Sequence, residues 1–165
     1  MTTTPNLPIT RLNSTEDIEI CTKIFSNSEP WITLGMDSEL FIKILSDPLN
    51  EVYVLKVEKE IAGVVVLQMQ GPFPGYVKAI VIDGKWKGKG YGRLLLEFSE
   101  QRVFKESPNV FLCVSSFNDK AQPFYQKMGY QKIGVIENYL ISGLSEILMR
   151  KTKGPVFGYN QTDTN

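Results

Sequence analysis

The stretch Lys87-Gly88-Lys89-Gly90-Tyr91-Gly92-Arg93 holds the residue types from which an anion site is built. Glycines at alternate positions let the backbone come close to a bulky group. A helix starting behind them offers unpaired N–H groups and the positive end of its dipole, so the segment reads as a phosphate cradle. Lys85, Lys87, Lys89 and Arg93 put four cations and no anion into residues 84–93. Spacing excludes the familiar nucleotide motifs. A P-loop needs Gly-x-x-x-x-Gly-Lys-Ser/Thr, and no such string occurs. A dinucleotide fingerprint needs Gly-x-Gly-x-x-Gly; counted from Gly88 the last position is Arg93, and from Gly90 it is Leu95.

What is missing restricts the chemistry further. The 165-residue chain has no His. That removes Ser-His-Asp and Cys-His engines and the commonest metal ligand, and no metal site is expected. Proton transfer falls to a carboxylate, a Tyr, a Cys, a Lys or water. Eighteen Lys+Arg balance 18 Asp+Glu, which argues against a general nucleic-acid binder. Cys21 and Cys113 are far apart and read as reduced, mostly buried thiols. Met1–Leu7 lacks the basic cluster and apolar core of a signal peptide. The longest apolar run, Ile61–Leu67, is interrupted by Gly63 and falls far short of the ~20 residues of a membrane helix. The expectation is a soluble, cytoplasmic protein with no nucleic-acid or membrane partner, acting as a monomer or homodimer. Residues 1–153 form one domain and 154–165, poor in apolar residues, a mobile tail or surface extension.

The elements that must position the cradle follow from periodicity. Pro8–Leu12 is extended. Ser14–Ser26 is a helix capped by Ser14 or Thr15, with Ile18, Cys21, Ile24 and Phe25 on one face. Glu29–Leu34 is irregular and carries an exposed-prone Trp31. Asp37–Ser46 is a second helix, capped by Asp37 and stopped by Asp47-Pro48. Val52–Val57 and Ile61–Gln70 are strands joined by a polar connection, and Tyr76–Ile82 is apolar enough to be central in a sheet. The Gly-rich loop leads into a helix from Tyr91 to about Lys105 with Leu94, Leu95 and Phe98 as its apolar stripe. Val110–Ser116 is a strand, and Asn118–Lys127 a helix with Gly129 past its end and a costly Pro123 inside it. Gln131–Ile136 and Glu146–Arg150 close the chain as strands. The order β-α-α-β-β-β-α-β-α-β-β predicts an α/β (α+β) domain, one mixed sheet between helices.

Taken together, these segments resemble the GNAT acetyltransferase superfamily, closest to its ribosomal-protein-alanine-type members. Lys87-Gly88-Lys89-Gly90-Tyr91-Gly92 is similar to motif A, Gln/Arg-x-x-Gly-x-Gly/Ala, with Lys87 in place of Arg or Gln. Asn118-x-x-Ala121-x-x-Phe124-Tyr125-x-x-x-Gly129-Tyr130 is similar to motif B. The resemblance runs from Val52 to Arg150 and implies a mostly antiparallel sheet with splayed central strands. It implies acetyl-CoA or another acyl-CoA as donor. Backbone at Val81 and Ile82 would pair with the pantetheine, the N–H groups from Gly88 through Lys89, Gly90, Tyr91 and Gly92 to Arg93 would hold the pyrophosphate, and Asn118 would lie near the pantetheine.

For such a reaction an amine must attack a thioester. The Ile82 N–H is the expected oxyanion donor and Tyr125 the expected general acid toward the leaving thiolate. Tyr125 can also be a plain core aromatic. The base is less defined. The carboxylate that relatives place on the strand before motif B is matched by Cys113, which reads as a small buried residue. Those relatives carrying a Glu early in the strand before motif A are matched by Tyr76-Val77-Lys78. Glu137 and Glu146 are the remaining nearby acids; water-mediated deprotonation, or capture of a neutral amine, stays open. Residues 13–60 hold ten acids and four bases, an acidic rim for a cationic amine or simply solvated helix faces. Trp31 and Tyr139 are groove-lining aromatics or plugs over the core. The function expected is N-acetylation of a primary amine, on a protein N-terminus, a lysine or a small molecule. The rival is a non-catalytic acyl-CoA-binding module.

Overall fold

The computed structural model describes residues 8–160. The expectation for Met1–Leu7 and the end of the tail at 161–165 lie outside the described residues. The elements are β1 (Ile9–Arg11), α1 (Thr15–Ser26), α2 (Trp31–Leu34), α3 (Ser38–Ser46), β2 (Asn50–Val57), β3 (Glu60–Gln68), β4 (Tyr76–Ile82), a 3-10 turn (Gly84–Trp86), α4 (Tyr91–Val103), β5 (Asn109–Ser115), α5 (Ala121–Lys127), β6 (Gln131–Glu137) and β7 (Ser145–Thr152).

Local chemistry starts the first helices. The Ser14 side chain accepts from Asp17 N at 3.0 Å, and Asp37 Oδ1 accepts from Leu40 N at 2.8 Å, so each satisfies an orphan donor of the first turn. The segment expected to be irregular coils into the single turn α2. This puts Trp31 edge-on to Phe25 at 4.8 Å and to Phe41 at 6.1 Å between ring centroids, and only 9% of it stays exposed. Trp31 is therefore a core residue and not a groove aromatic.

The strands form one sheet in the order β1-β2-β3-β4-β5-β7-β6. Every neighbouring pair is antiparallel except β4 with β5. Strand alternation sorts the side chains onto two faces. On one face α1 and α3 pack Ile24, Phe25, Phe41 and Leu45 against Val52, Val54, Val64, Val66 and Val81. On the other, α4 and α5 pack Leu95, Leu96, Val103 and Tyr125 against Val65, Val77, Leu112, Val114 and Ile147. The buried stripe of α4 runs through Leu95, Leu96, Ser99 and Val103, with Leu94 and Phe98 at its margins, which shifts the expected stripe by one position. Helices α1 and α3 lie against β2, β3 and β4. The same face of β5 and β7 leaves Phe111, Cys113 and Leu148 half-buried.

The parallel contact between β4 and β5 is short: Tyr76 pairs with Phe111 and Val77 with Leu112, and no further pair forms. Immediately beyond, Val77 pairs with Leu67 and Ala79 with Val66, so Lys78 is an extra residue on β4. Such a bulge bends its strand and increases its twist. The two strands part at the centre of the sheet.

Helix α5 begins at Ala121, three positions later than the sequence reading set it. Pro123 consequently lies in the first turn, where its missing N–H is no loss. In the tail, the Tyr159 hydroxyl donates to Phe104 O at 2.6 Å, tying residues beyond β7 to the end of α4.

Candidate active site

The wall of the opening is the free edge of β4. Asp83 N donates to Ala62 O at 2.9 Å, so the backbone groups of Asp83 face β3. Successive residues of a strand point their N–H and C=O groups to opposite sides. Ile82 and Ile80 therefore turn theirs into the opening, while Val81 turns toward its partner Val64 on β3. The structure keeps Ile82 as a candidate donor, removes Val81 as a backbone contact for a ligand, and adds Ile80. Two-residue alternation from Ile82 was the signal that would have found it.

Behind the opening lies the Gly-rich loop. Gly88 and Gly90 have φ of +76° and +83°, a region that costs a side chain ~1–2 kcal/mol. A Cβ on either would meet nothing within 4 Å, so both border open space. Gly90 caps α4 with no side-chain bond, and the first helical bond is Leu94 N to Gly90 O at 3.1 Å. The N–H groups of Tyr91, Gly92 and Arg93 thus have no partner within the helix. This is an anion site that a diphosphate fits. The four cations are not all free for it. Lys85 pairs with Glu60, and Arg93 with Glu97 at 2.8 Å. Among the described residues Lys87 and Lys89 form no ion pair; Lys89 Nζ sits 4.8 Å from the Trp86 ring centroid, held beside the loop by cation–π attraction.

Tyr125 on α5 is buried in the core cluster against which Ile80, Ile82, Tyr91 and Leu94 also pack. Its ring meets Phe124 and Tyr130 edge-on at 5.2 and 5.7 Å. Burial pushes its phenol well above the ordinary range, so it holds its proton at neutral pH. Asn118 links β5 to α5: its N donates to Ser115 O at 2.9 Å, and its Oδ1 accepts from Ala121 N at 3.3 Å.

The opposite bank of the opening is β5 with β7. Ser115 pairs with Glu146, and Ser115 Oγ donates to Glu146 Oε1 at 2.6 Å. Glu146 is only 5% exposed, and burial raises its pKa against the opposing effect of the Ser115 bond. Tyr76 and Cys113 lie close enough to perturb each other; burial first, then this proximity, raises the Tyr76 phenol, and burial also raises Cys113. The charges of Tyr139 and Glu146 add smaller contributions in the same direction at Tyr76. Glu137 ends β6 as an exposed side chain, and Tyr139 is 58% exposed in the following loop. Cys21 is fully buried, pushed up to about 12 chiefly by burial, and inert.

The acidic rim is largely spent on local structure. Asp17 pairs with Lys56 at 3.1 Å, Glu39 with Lys43 at 3.0 Å, and Glu51 with Arg102 at 2.7 Å, while Asp37 caps α3. Among the described residues no group of three or more His, Cys, Asp or Glu is placed to hold a metal ion, and no helix is long and apolar enough to cross a membrane.

A sheet parted between parallel central strands, with an uncapped helix N-terminus at the end of the Gly-rich loop, is the architecture of an acyl-CoA-dependent N-acetyltransferase. The chain belongs to the acetyltransferase (GNAT) family, whose family model matches residues 13–130. It is 27% identical over 150 residues to the N-alpha-acetyltransferase RimI of Mycobacterium tuberculosis, covering 88% of this chain and 90% of that protein. The fold is shared with the ribosomal-protein-S18-alanine N-acetyltransferase of Escherichia coli, at a TM-score of 0.74 and 18% identity over 93% of this chain and 97% of that one. It is also shared with the spermidine N-acetyltransferase SpeG of Vibrio cholerae, at a TM-score of 0.70 and 20% identity over 89% of this chain and 94% of that one. One fold thus serves peptide and polyamine acceptors. Acetyl-CoA is the family's donor, and an amine its acceptor.

Proposed function

We propose that the protein transfers acetyl directly from acetyl-CoA to the α-amino group of a protein N-terminus, in a ternary complex. The observation that carries this reading is the opening between β4 and β5. It joins the cradle at Gly88–Arg93 to the unpaired Ile80 and Ile82 backbone and then to the half-buried face of β5 and β7. A thioester arm running along β4 reaches that face, where an acceptor enters. The choice of a protein N-terminus is supported by the similarity to RimI along nearly its whole length.

In this reading the Ile82 N–H receives the developing oxyanion, since a fixed donor in a dry site stabilises charge that appears only in the transition state. Tyr125 gives its proton to the departing thiolate and recovers one through solvent. The acetyltransferase domain spans residues 1–153, followed by a C-terminal tail at 154–165. It works in the cytoplasm as a monomer or homodimer, without metal, nucleic acid or membrane.

A CoA-release assay with a mixed panel of N-terminal peptides, lysine peptides and polyamines tests the proposal. Peptide α-amines are expected to be acetylated. Release with polyamines alone moves the acceptor to small molecules. Acetyl-CoA binding without amine-dependent release leaves only a binding module, and no binding overturns the reading.

A further inference from the structure

The proposed reaction lacks a group to take the amine's proton, and the structure places one. An alkyl ammonium is protonated at neutral pH and cannot attack until a proton leaves. Position 113 on β5 holds a Cys, and an acid stands one strand away. Cys113 pairs with Leu148, so Glu146 is its diagonal neighbour on the same face of the sheet, ~7–8 Å off between Cα atoms.

We propose that Glu146 is the general base of the acetyl transfer, accepting the acceptor amine's proton on Oε2 directly or through one water. This assignment rests on the reading above.

Geometry supports it in three ways. The carboxylate is engaged on one side only: Ser115 Oγ binds Oε1, and among the described residues no other hydrogen bond or ion pair holds it. Oε2 is left for an incoming donor. Its position is on the bank of the opening, since β5 leaves β4 after Leu112 and Ser115 lies three residues beyond. Its face is the right one. Val114 and Ile147 point to the α4–α5 side with Tyr125, so Ser115 and Glu146 point to the opposite side. A base on one face and an acid on the other let the amine be deprotonated where it enters and the thiolate protonated where it leaves.

No ion pair holds Glu146 among the described residues. The groups nearest Glu146 on its face are Ser115 and Cys113 on β5, and Tyr76 on β4 feels both Cys113 and Glu146. Glu137 ends the adjoining β6, and Arg150 lies two same-face positions along β7. A carboxylate there binds a proton more readily than one at the surface, which makes it the stronger base.

Protons and electrons balance. Glu146 takes one proton from the ammonium; the nitrogen pair then forms the C–N bond as the C–S pair leaves with sulfur. Tyr125 supplies the thiol proton, and the second proton shed by nitrogen returns to Tyr125 through solvent. Glu146 releases its proton to water.

The test uses the full chain with Glu146→Gln, which keeps the acceptor for Ser115, and Ser115→Ala. With acetyl-CoA and the peptide that the wild type acetylates best, Glu146→Gln is expected to lower kcat at least tenfold and to remove the acidic limb of the kcat/KM profile. Ser115→Ala, which deletes a bond favouring the ionised form, is expected to move that limb to higher pH. A second readout needs no turnover. A carboxyl with a raised folded pKa destabilises the fold as pH rises through that value, so Glu146→Gln is expected to match or exceed the wild-type Tm at neutral pH. Wild-type turnover and an unmoved acidic limb in Glu146→Gln overturn the assignment and leave the acetyltransferase reading standing. If the wild type acetylates no amine of the panel, that reading falls and takes the assignment with it. Should Glu146→Gln not fold, an unshifted limb in Ser115→Ala overturns the assignment.

Discussion

Gly63 on β3 decides how Ile82 is held, and replacing it by Ala is a stringent test of the wall described above. Gly63 pairs with Ile82 across the strands. A Cβ there would lie 2.6 Å from Ile82 Cδ1, 3.1 Å from Val81 O and 3.2 Å from Leu95 Cδ2. The first contact is relieved by turning a side chain that is itself packed into the core. The second is backbone, and relieving it pushes β4 away from β3. Overpacking of this kind costs ~1–3 kcal/mol. Ala recovers ~0.5–1 kcal/mol of the conformational entropy that Gly loses in a strand. The net loss is about 1–2 kcal/mol, a Tm decrease of ~2–8 °C for a domain of this size. Displacement of β4 also moves the Ile82 N–H, so kcat falls. Calorimetry and steady-state kinetics read both effects. Gly92→Ala is the control for stability alone, because Gly92 belongs to the cradle: its Cβ makes only an ordinary 3.7 Å contact with Ile82 Cγ1, and it gains helix propensity of up to ~1 kcal/mol. A Gly63→Ala protein as stable and active as the wild type would refute the argument.

Gly90→Ala places a side chain at φ +83° and fills the mouth of the cradle, so calorimetric CoA affinity is expected to fall about tenfold, ~1.4 kcal/mol. Tyr125→Phe keeps the packing against Phe124 and Tyr130; turnover is expected to drop at least tenfold with CoA affinity unchanged, and unchanged turnover removes Tyr125 from the chemistry. Burial raises the Glu51 carboxyl, but bonds from Arg102 and Tyr53 and the charges of Arg102 and Arg11 outweigh it and hold the pKa below the usual range. Its stabilisation is complete above the unfolded value of ~4.3 and disappears as pH falls through the lower folded value. Melting curves between neutrality and about pH 3 are therefore expected to fall more steeply for the wild type than for Glu51→Gln.

The parts of the fold legible in the chain are those whose causes are local. Ser14 and Asp37 cap helices through oxygens that reach an N–H three residues on, and both were visible as residue types at the right offset. The bounds of β4 were equally visible, because a nearly continuous apolar run between turn residues has little choice. What escaped depends on partners distant in the chain. Trp31 looked exposed because nothing nearby shows that Phe25 and Phe41 close around it. Lys85 looked like a free cation of the loop because Glu60, 25 residues earlier, is brought to it only by the sheet. The direction of the Val81 and Ile82 backbone depends on which strand carries the bulge, and Lys78 carries no residue-type signal for that. Ser115 and Glu146 are 31 residues apart, so neither the burial of this acid nor its single partner is written locally.

The two halves of the sheet also differ in a way that bears on mechanism. On the α1–α3 face, β2 and β3 present an unbroken layer of Val52, Val54, Val64 and Val66, covered by aromatic side chains. On the same face, β5 and β7 present Cys113, Ser115 and Glu146, and pairing to β4 stops after two residues. Each of these features costs stability: unmade ladder bonds, half-buried apolar area at Phe111 and Leu148, and a carboxylate without a cation. None has a packing reason, since a longer β4–β5 ladder and an apolar residue at position 146 would strengthen the sheet. Destabilising features concentrated at one opening mark a functional site. The expected behaviour of Glu146→Gln, a fold at least as stable with its turnover lost, is that principle reduced to a single side chain.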